Sequence, residues 1–371
     1  VKIVMNAFFK DERGDYNRES SSVSDFAQLD GRYYDSMIAA YCKGIVYGDD
    51  KGSLNPKSSI TRAEACAIIM RAASMKGDLK LYEPTVTEQS KPQTTRKGGV
   101  SENGALHVVG TQLMNENNEP VVLHGMSSHG LQWFGDFATE NAVKATADYG
   151  ANLFRCAMYT DEGGYISNPS VKDTLINAVD SAIRQDMYVI IDWHTYYPQK
   201  EEAKAFFSMM AQKYGKYPHI IYEIYNEPME DSWESVKEYA ADIISEIRKY
   251  DPDNIILVGS PHWDQDLHLV AESPLEGFNN IMYTLHFYAA THKQELRDRA
   301  EAAWEKGIPI FVSECAGMEC TGDGPLDIPE WTRWVEWLES KKISWVNWSI
   351  SDKNETCSMI LPRANKNGGW D

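Results

Sequence analysis

The feature that most constrains the fold is an alternation of apolar runs with amphipathic stretches, which begins near residue 104 and repeats to the end of the chain. The eight apolar runs are VVLHGMSSH, NLFRCAMY, YVIIDWH, IIYEIYNEP, NIILVGS, IMYTLHFY, PIFVSE and SWVNWS. Between them lie segments with apolar residues at helical spacing, such as WESVKEYAADIISEIRKY at 233–250. Near-continuous apolar strands separated by helices are typical of a parallel sheet that is buried on both faces. Eight such units in about 250 residues predict an α/β fold, a (β/α)8 TIM barrel.

An open doubly wound sheet is the alternative for alternating strands and helices. It is less favoured, because no GxGxxG motif follows the first apolar run. Ahead of the barrel, the segment GALHVVGTQLMNENNEP at 104–120 predicts a β-hairpin with an Asn-rich turn.

The part before the barrel has a different composition. Residues 79–103 lack apolar periodicity and are rich in Thr, Lys, Pro and Gly, so they predict a linker. The predicted organisation is a small helical module at 1–78, this linker, and a barrel domain at 104–371.

Two helices are predicted in the N-terminal module, at 33–43 and 61–73. In the second, Ala65, Ile68, Ile69 and Ala72 are expected to share one face, which is buried. A pair of short helices buries little apolar area, so this module is expected to be small.

Composition limits the ligands and the compartment. The net charge of −19 argues against nucleic acid and, more weakly, against anionic membranes and substrates, and a neutral ligand fits it well. No run of about 18 apolar residues occurs, so no membrane span is predicted. The chain begins at Val1 without a signal peptide and is expected to be a mature or trimmed product. Cys156 is expected to be a buried free thiol, and whether Cys315 and Cys320 pair is left open by their spacing.

Polar side chains stand where each predicted strand ends. In a TIM barrel the carboxyl ends of the strands meet at one rim, where active-site residues lie. One such residue would be explained by structure alone, but their recurrence at all eight strand ends favours a site. The residues are His129, Arg155, Tyr159, Asp192, His194, Asn226, Glu227, Trp263, His286, Tyr288, Glu314 and Trp348.

Glu227 on the fourth strand and Glu314 on the seventh are expected to face each other across the mouth of the barrel. Paired carboxylates flanking a cleft suit glycosidic cleavage, in which one carboxyl donates a proton and the other attacks as an anion. Arg155 is the expected partner that keeps Glu314 ionised, and the negative charge there favours a protonated Glu227. Asn226 is placed to bind the sugar 2-hydroxyl. A simple ion pair with Arg155 is the alternative explanation for a lone Glu at a strand end.

Residues 100–371 resemble glycoside hydrolase family 5, in particular the bacterial endo-β-1,4-glucanases of its cellulase branch. HGMSSHGLQWFGDF, NLFRCAMYT, IIDWH, IYEIYNEP, HFYAATH, IFVSE and WVNWSISDKNE carry the resemblance. It implies a retaining mechanism with Glu227 as acid/base and Glu314 as nucleophile. The other active-site positions that it implies are Arg155, His194, Asn226, His286, Tyr288 and Trp348. The substrate-contacting positions that it implies are His129, Trp133, Tyr159, Trp263, Lys353 and Glu355.

The chain departs from this family at one position, and its sequence contains no metal-binding motif. Where the family has an aromatic residue after the nucleophile, this chain has Cys315, which predicts a rearranged loop beside the cleft. No metal-ligand spacing such as HExxH occurs and neither carboxylate role needs a cofactor, so neither metal nor cofactor is expected.

The N-terminal part resembles a surface-layer homology module. KGIVYGDDKGSLNPKSSITRAEACAIIMRA at 43–72 carries this resemblance, which covers roughly residues 22–74. It implies binding to bacterial cell-wall polysaccharide, and a packing appendage is the alternative for a single copy. The protein is therefore expected to be a secreted β-glucanase, and its attachment to the cell surface is a further expectation.

Four other functions stay open at this point. The same barrel could act on mannan, on xyloglucan or on mixed-linkage glucan, because fold does not determine the polymer. A non-catalytic cell-wall carbohydrate-binding protein is the candidate from another class.

Overall fold

The computed structural model describes residues 96–370 without a break, together with Met5, Phe9, 34–43, Ile45, Val46, Ser53, Leu54, Ile68, Ile69 and Ala72. The chain divides into two compact units, Val1–Gln89 and Ser90–Asp371. Among the described residues, no helix is long and apolar enough to cross a membrane.

The first unit contains helix α1, Tyr34–Cys42, which confirms the predicted helix at 33–43. Ile68 and Ala72 are buried as expected, but Ile69 is 46% exposed, so the prediction that it shares their buried face is wrong. The remaining residues of the second predicted helix, including Thr61–Glu64, lie outside the described residues. The core residues described for this unit are Met5, Phe9, Ala39, Ala40, Ile45, Val46, Leu54, Ile68 and Ala72.

The second unit is a closed barrel of parallel strands, and the prediction of a TIM barrel is confirmed. The strands follow the order β10-β3-β4-β5-β6-β7-β8-β9 around the barrel. They are β3 His124–Ser128, β4 Leu153–Tyr159, β5 Tyr188–His194, β6 Ile220–Glu223, β7 Ile255–Val258, β8 Ile281–Tyr288, β9 Ile310–Ala316 and β10 Trp345–Ile350.

Helices connect the strands and cover the outside of the barrel. Helix α7, Trp233–Ile247, shows why the sequence forms them: Val236, Ala240 and Ile243 are buried at helical spacing, and the Ser232 side chain caps the first turn. The helices are α2 Val100–Asn103, α3 Leu131–Phe134, α4 Glu140–Asp148, α5 Val171–Arg184, α6 Lys200–Tyr214, α7 Trp233–Ile247, α8 Pro261–Asp264, α9 Leu267–Glu272, α10 Gln294–Glu305 and α11 Ile328–Lys341.

The barrel interior has an apolar layer beneath a polar one. Alternate residues of a strand point to the same side, so on β5 the side chains of Tyr188, Ile190, Asp192 and His194 all face the interior. The first two lie in the apolar layer and the last two in the polar layer. Leu106, Leu113 and Val121, which flank or lie in the hairpin ahead of the barrel, pack into the apolar layer. We call this layer the apolar floor; its barrel residues are Leu123, Leu153, Tyr188, Ile190, Ile221, Ile255, Leu257, Met282, Phe311 and Val346. Because these residues fill the amino-terminal half of the interior, the interior is open to a ligand at the opposite rim.

The hairpin differs from the prediction in the position of its turn. Strands β1, His107–Val109, and β2, Gln112–Met114, are joined at Gly110-Thr111, where Gly110 takes a φ of 60°. A two-residue turn needs such a left-handed residue, and glycine adopts it without steric cost. The Asn-rich segment forms a second turn after β2, in which the Asn115 side chain accepts hydrogen bonds from two backbone amides.

The segment just before α2 is bonded to the barrel. The backbone amides of Arg96 and Ser101 donate to the Asp186 carboxylate at 3.0 and 2.8 Å, and the Arg96 side chain donates to the backbone oxygen of Gln185 at 2.9 Å. Residues 96–103 therefore contribute contacts to the second unit.

Candidate active site

The rim at the carboxyl ends of the strands brings the predicted residues together, and Glu314 lies at its centre. The Tyr288 hydroxyl donates to Glu314 Oε1 at 2.7 Å, and Arg155 Nη1 donates to Glu314 Oε2 at 2.9 Å. Burial and the neighbouring Glu314 raise the pKa of Tyr288 well above its usual value, so the hydroxyl remains a donor. Two charge-complementary donors thus fix both oxygens of this carboxylate.

Arg155 is the hub of the polar layer and is fully buried. Besides Glu314 it contacts Glu223, Asn226 and Asp192, with nitrogen–oxygen distances of 2.7, 2.6 and 3.0 Å. A planar guanidinium can bind several acceptors at fixed angles, which a lysine cannot do. The predicted pairing of Arg155 with Glu314 is present, within a larger network.

Glu223 belongs to this network and was missed by the sequence analysis. Burial alone would raise the pKa of its carboxyl, but Arg155 and His286 outweigh burial and lower it to about 2. A glutamate inside the otherwise apolar run IIYEIY was the available signal, because a buried Glu needs a cationic partner.

Asn226 is oriented by Arg155. Its Oδ1 accepts from Arg155 Nη2 at 2.6 Å, and its Nδ2 is buried without a hydrogen-bond partner among the described residues. Since the oxygen is already occupied, the amide nitrogen is the atom left to bind a ligand hydroxyl.

Glu227 is the more exposed of the two carboxylates and is held by His286. His286 Nδ1 lies 2.9 Å from Glu227 Oε1, and its Nε2 lies 2.9 Å from the Ser313 hydroxyl and 3.3 Å from Asp264 Oδ2. Burial alone would lower the pKa of His286, but the surrounding carboxylates raise it well above its usual value. Ser313 and Asp264 were also missed, because nothing in their sequence neighbourhood indicates that they meet His286.

His194 and its neighbours form an aromatic wall beside the carboxylates. The His194 ring stacks on Tyr159 with centroids 4.0 Å apart and lies 5.5 Å from the Trp348 ring. Burial and Arg155 lower the pKa of His194 to about 3, so the ring is neutral. Its Nδ1 lies 2.7 Å from Asp192 Oδ2, which leaves Nε2 as the free nitrogen. Asp192 was predicted to lie at the rim, but its role in orienting His194 was not.

His129, Lys353 and Glu355 lie together at one end of the rim. Lys353 Nζ is 2.6 Å from Glu355 Oε2, and His129 Nε2 is 3.6 Å from Glu355 Oε1. Burial and the nearby Lys353 charge lower the pKa of His129 to about 4, so this ring is also neutral.

Two cavities open at the rim, and Glu227 lines both of them. The first, of about 290 Å³, contains both Glu227 and Glu314. The predicted substrate-contacting residues that line it are His129, Trp133, Tyr159, Trp348, Lys353 and Glu355. The second, of about 620 Å³, contains Glu227 but not Glu314, and Trp263 lies there with Tyr196, Tyr197 and His262. The structure therefore separates Trp263 from the other predicted contact residues.

The residue after Glu314 faces away from both cavities. Cys315 is fully buried in the outer core, and its thiol lies 3.2 Å from the backbone oxygen of Val346. Burial raises the pKa of this thiol, so it stays protonated. Cys315 and Cys320 are not paired, and Cys156 is a buried free thiol as predicted.

Within the described part of the chain, the groups that could hold a metal ion are Glu227, His286 and Glu314. One ligand atom from each lies within 4.8 Å of the others. Glu314 already accepts hydrogen bonds from Arg155 and Tyr288, and Glu227 lies 2.9 Å from His286, so a cation would compete with these protein partners.

A parallel barrel with two glutamates at the carboxyl ends of its strands is typical of barrel glycoside hydrolases. The family model described as cellulase (glycosyl hydrolase family 5) matches residues 114–354, and the model of the S-layer homology domain matches residues 24–66. The chain belongs to glycosyl hydrolase family 5.

Relatives and solved structures agree with this family. An endoglucanase of Clostridium saccharobutylicum is 46% identical over 298 residues, which are 77% of this chain and 64% of the relative. Endoglucanase A of Evansella cellulosilytica is 46% identical over 68% of this chain and 53% of its own length. This chain therefore spans about half to two thirds of these relatives. The catalytic domain of Thermobifida fusca endoglucanase Cel5A superposes with a TM-score of 0.69 at 36% identity, covering 71% of this chain and 90% of that domain.

Proposed function

We propose that this protein is a retaining endo-β-1,4-glucanase that hydrolyses internal bonds of cellulose or related β-glucans. The observation that carries the proposal is the placement of Glu314, which Arg155 and Tyr288 hold next to Glu227. One oxygen of Glu227 lies within 4.8 Å of one oxygen of Glu314. Retaining glycosidases place their carboxyl groups about 5–5.5 Å apart, whereas inverting enzymes need roughly 6.5–9.5 Å to admit a water molecule.

In the proposed mechanism, Glu314 is the nucleophile and Glu227 the acid/base. Glu227 donates its proton to the glycosidic oxygen while Glu314 attacks the anomeric carbon, and a covalent glycosyl-enzyme forms as the leaving chain departs. Glu227 then takes a proton from water, which attacks the same carbon and releases Glu314. The unpartnered Nδ2 of Asn226 is placed to donate to the sugar 2-hydroxyl, a contact that strengthens in the transition state.

The two cavities support cleavage within a chain. The sugar that is attacked must lie beside Glu314, in the first cavity, and the leaving part must lie on the Glu227 side, in the second. Exposed aromatic rings stand in both, with Trp133 47% and Trp263 37% exposed, and such rings stack on the apolar faces of glucosyl units. We therefore assign the first-cavity contacts to the glycone side and Trp263 to the aglycone side.

The relatives support the choice of polymer. The curated relatives above are named endoglucanases, and the Thermobifida fusca enzyme has been solved in complex with cellotetraose. We infer from the S-layer homology match that the protein is secreted and attached to the bacterial cell wall. We also propose that the module at 1–78 and the linker at 79–103 precede a catalytic domain at 104–371.

The first product decides the mechanism. Two successive inversions at the anomeric carbon retain its configuration, so a β-linked glucan must release a β-anomer first. Proton NMR in the first minutes, before mutarotation, reads the anomer directly. An initial α-anomer would remove Glu314 from the nucleophile role even if the polymer is cleaved.

A panel of polysaccharides decides the substrate. Release of reducing ends from carboxymethylcellulose above that from mannan, xyloglucan and mixed-linkage glucan is expected. Preference for another member of the panel would change the polymer but keep the enzyme class. Binding without release from any of them would favour the non-catalytic carbohydrate-binding protein.

A further inference from the structure

A buried carboxylate stands behind the histidine that holds Glu227. Asp264 is fully buried, and its Oδ2 lies 3.3 Å from His286 Nε2, while His286 Nδ1 lies 2.9 Å from Glu227 Oε1. Oδ2 has no hydrogen-bond partner among the described residues. Asp264, His286 and Glu227 thus form a line that ends at the proposed acid/base.

The backbone around Asp264 is shaped to present this carboxylate. His262, Trp263 and Asp264 have φ values of 61°, 55° and 59°, which is a left-handed conformation that costs energy for residues other than glycine. Asp264 Oδ1 accepts from the backbone amide of Ser260 at 2.6 Å, which closes the turn. The same turn sends Trp263 into the second cavity and Asp264 into the barrel, so one oxygen of Asp264 serves the turn and the other faces His286.

The charges around His286 are predominantly negative. Burial and the Glu227 charge raise the pKa of Asp264 well above its usual value, although His286 opposes them, and burial alone would lower the pKa of His286. Neither group would hold a charge alone at this depth. Facing each other, the two groups stabilise each other's charged form. The titratable groups that act on His286 are Glu223 and Glu227 from β6 and the loop after it, Asp192 from β5, Asp264 from α8, Glu314 from β9 and His292 after β8.

We propose that Asp264 is a positioning residue that keeps His286 doubly protonated, so that His286 Nδ1–H donates to Glu227 Oε1 throughout the reaction. This proposal rests on the assignment of Glu227 as the acid/base. With Oε1 occupied as an acceptor, the acid proton is directed to Oε2, the oxygen left for the glycosidic bond. After proton donation, the same N–H stabilises the Glu227 anion until water is activated.

Asp264→Asn is the informative variant. The Asn side-chain oxygen can still accept from Ser260, and Asn tolerates the left-handed region better than most residues, so the turn is retained. The anionic acceptor that faces His286 is replaced by an amide NH2 donor. Loss of an anion lowers the proton affinity of the His286–Glu227 pair. The alkaline limb of kcat/KM is expected to move to lower pH by roughly one unit or more.

The substrate dependence distinguishes a proton-directing role from a structural one. Above the displaced limb, turnover of carboxymethylcellulose should fall about tenfold for each further rise of one in pH. Hydrolysis of an aryl cellobioside with an activated leaving group should fall much less, because that leaving group needs little protonation. Asp266→Asn is the matched control: Asp266 lies on the same segment but pairs with Arg299 at 2.7 Å, and its pH profile should coincide with that of the wild type.

A measurement without substrate tests the proton on His286 directly. In the wild-type protein labelled with 15N-histidine, both ring nitrogens of His286 should carry protons at pH 7–8, and the signal is assigned by its loss in His286→Asn. A neutral His286 ring at pH 7 would overturn the proposal, as would an Asp264→Asn profile that matches the Asp266→Asn profile. Equal losses on both substrates with the limb unmoved would also overturn it.

These outcomes are separate from the fate of the proposed function. If the wild-type protein releases no reducing ends from any β-glucan, the assignment of an endoglucanase fails, whereas the protonation of His286 is still decided by NMR.

Discussion

Replacement of Arg155 by Met tests the polar layer most directly. Arg155 contacts three carboxylates, Asp192, Glu223 and Glu314, none of them more than 7% exposed. Removal of one member of a buried ion pair typically costs about 3–5 kcal/mol, because the remaining charge stays buried without a partner. The pKa of Glu223 gives a similar figure: its lowering from 4.5 to about 2, against the opposing effect of burial, corresponds to about 3 kcal/mol. Arg155→Met is expected to lower the free energy of unfolding by about 3–5 kcal/mol.

The contribution of the Arg155–Glu223 pair to stability depends on pH. Because the pKa of Glu223 is lower in the folded state, its contribution is fully present above the reference value of 4.5 and is lost as the pH falls through about 2. Wild-type stability should therefore fall over this window. In Arg155→Met, Glu223 loses the charge that lowers its pKa most and keeps only His286, so most of this part of the fall should be missing.

Denaturant unfolding of the wild type, Arg155→Met and Arg155→Lys between pH 7 and pH 2.5 provides the measurement. Lys144→Met is the surface control, since Lys144 and Asp148 form a pair with both side chains 51% exposed, and it should change stability by no more than about 1 kcal/mol. An Arg155→Met protein within about 1 kcal/mol of the wild type, or with the same acid dependence, would refute the reasoning.

Two further predictions concern the carboxylates and the division of the chain. Glu314→Gln should abolish turnover of all substrates, and Glu227→Gln should lower turnover of polymer by about 10²–10⁴-fold while keeping more activity on an activated aryl glycoside; equal losses on both substrates in Glu227→Gln would argue against its role as acid. Deletion of residues 1–89 should leave kcat on soluble glucan unchanged and reduce binding to isolated cell walls. Deletion of residues 1–103 should in addition lower the melting temperature, because it removes the Arg96 and Ser101 contacts to Asp186. A large loss of kcat in the shorter deletion, measured by reducing-end release, would show that the first unit completes the catalytic domain.

The barrel and the members of its rim were predictable because both follow from periodicity. A strand buried on both faces reads as an apolar run, and a polar residue at its carboxyl end is then placed at a known rim. Glu223 and Asp264 were not found, since their importance lies in contacts with Arg155 and His286, which are distant in sequence.

Two smaller predictions, the position of the hairpin turn and the burial of Ile69, were wrong for local reasons. The hairpin turn was assigned to the Asn-rich segment, but Gly110 provides the left-handed residue that a two-residue turn needs, and the Asn side chains form their own turn afterwards. Ile69 has the right residue type for a core position, yet it is 46% exposed while Ile68 and Ala72 are buried.

The apolar floor has a consequence for how a polymer meets this protein. The barrel interior is filled from below, so a glucan bound under the proposed function lies across the upper rim and does not pass through the barrel. If the proposed endo action holds, successive cuts fall at unrelated places along the polymer. The viscosity of a glucan solution is expected to collapse while only a small fraction of its bonds has been broken.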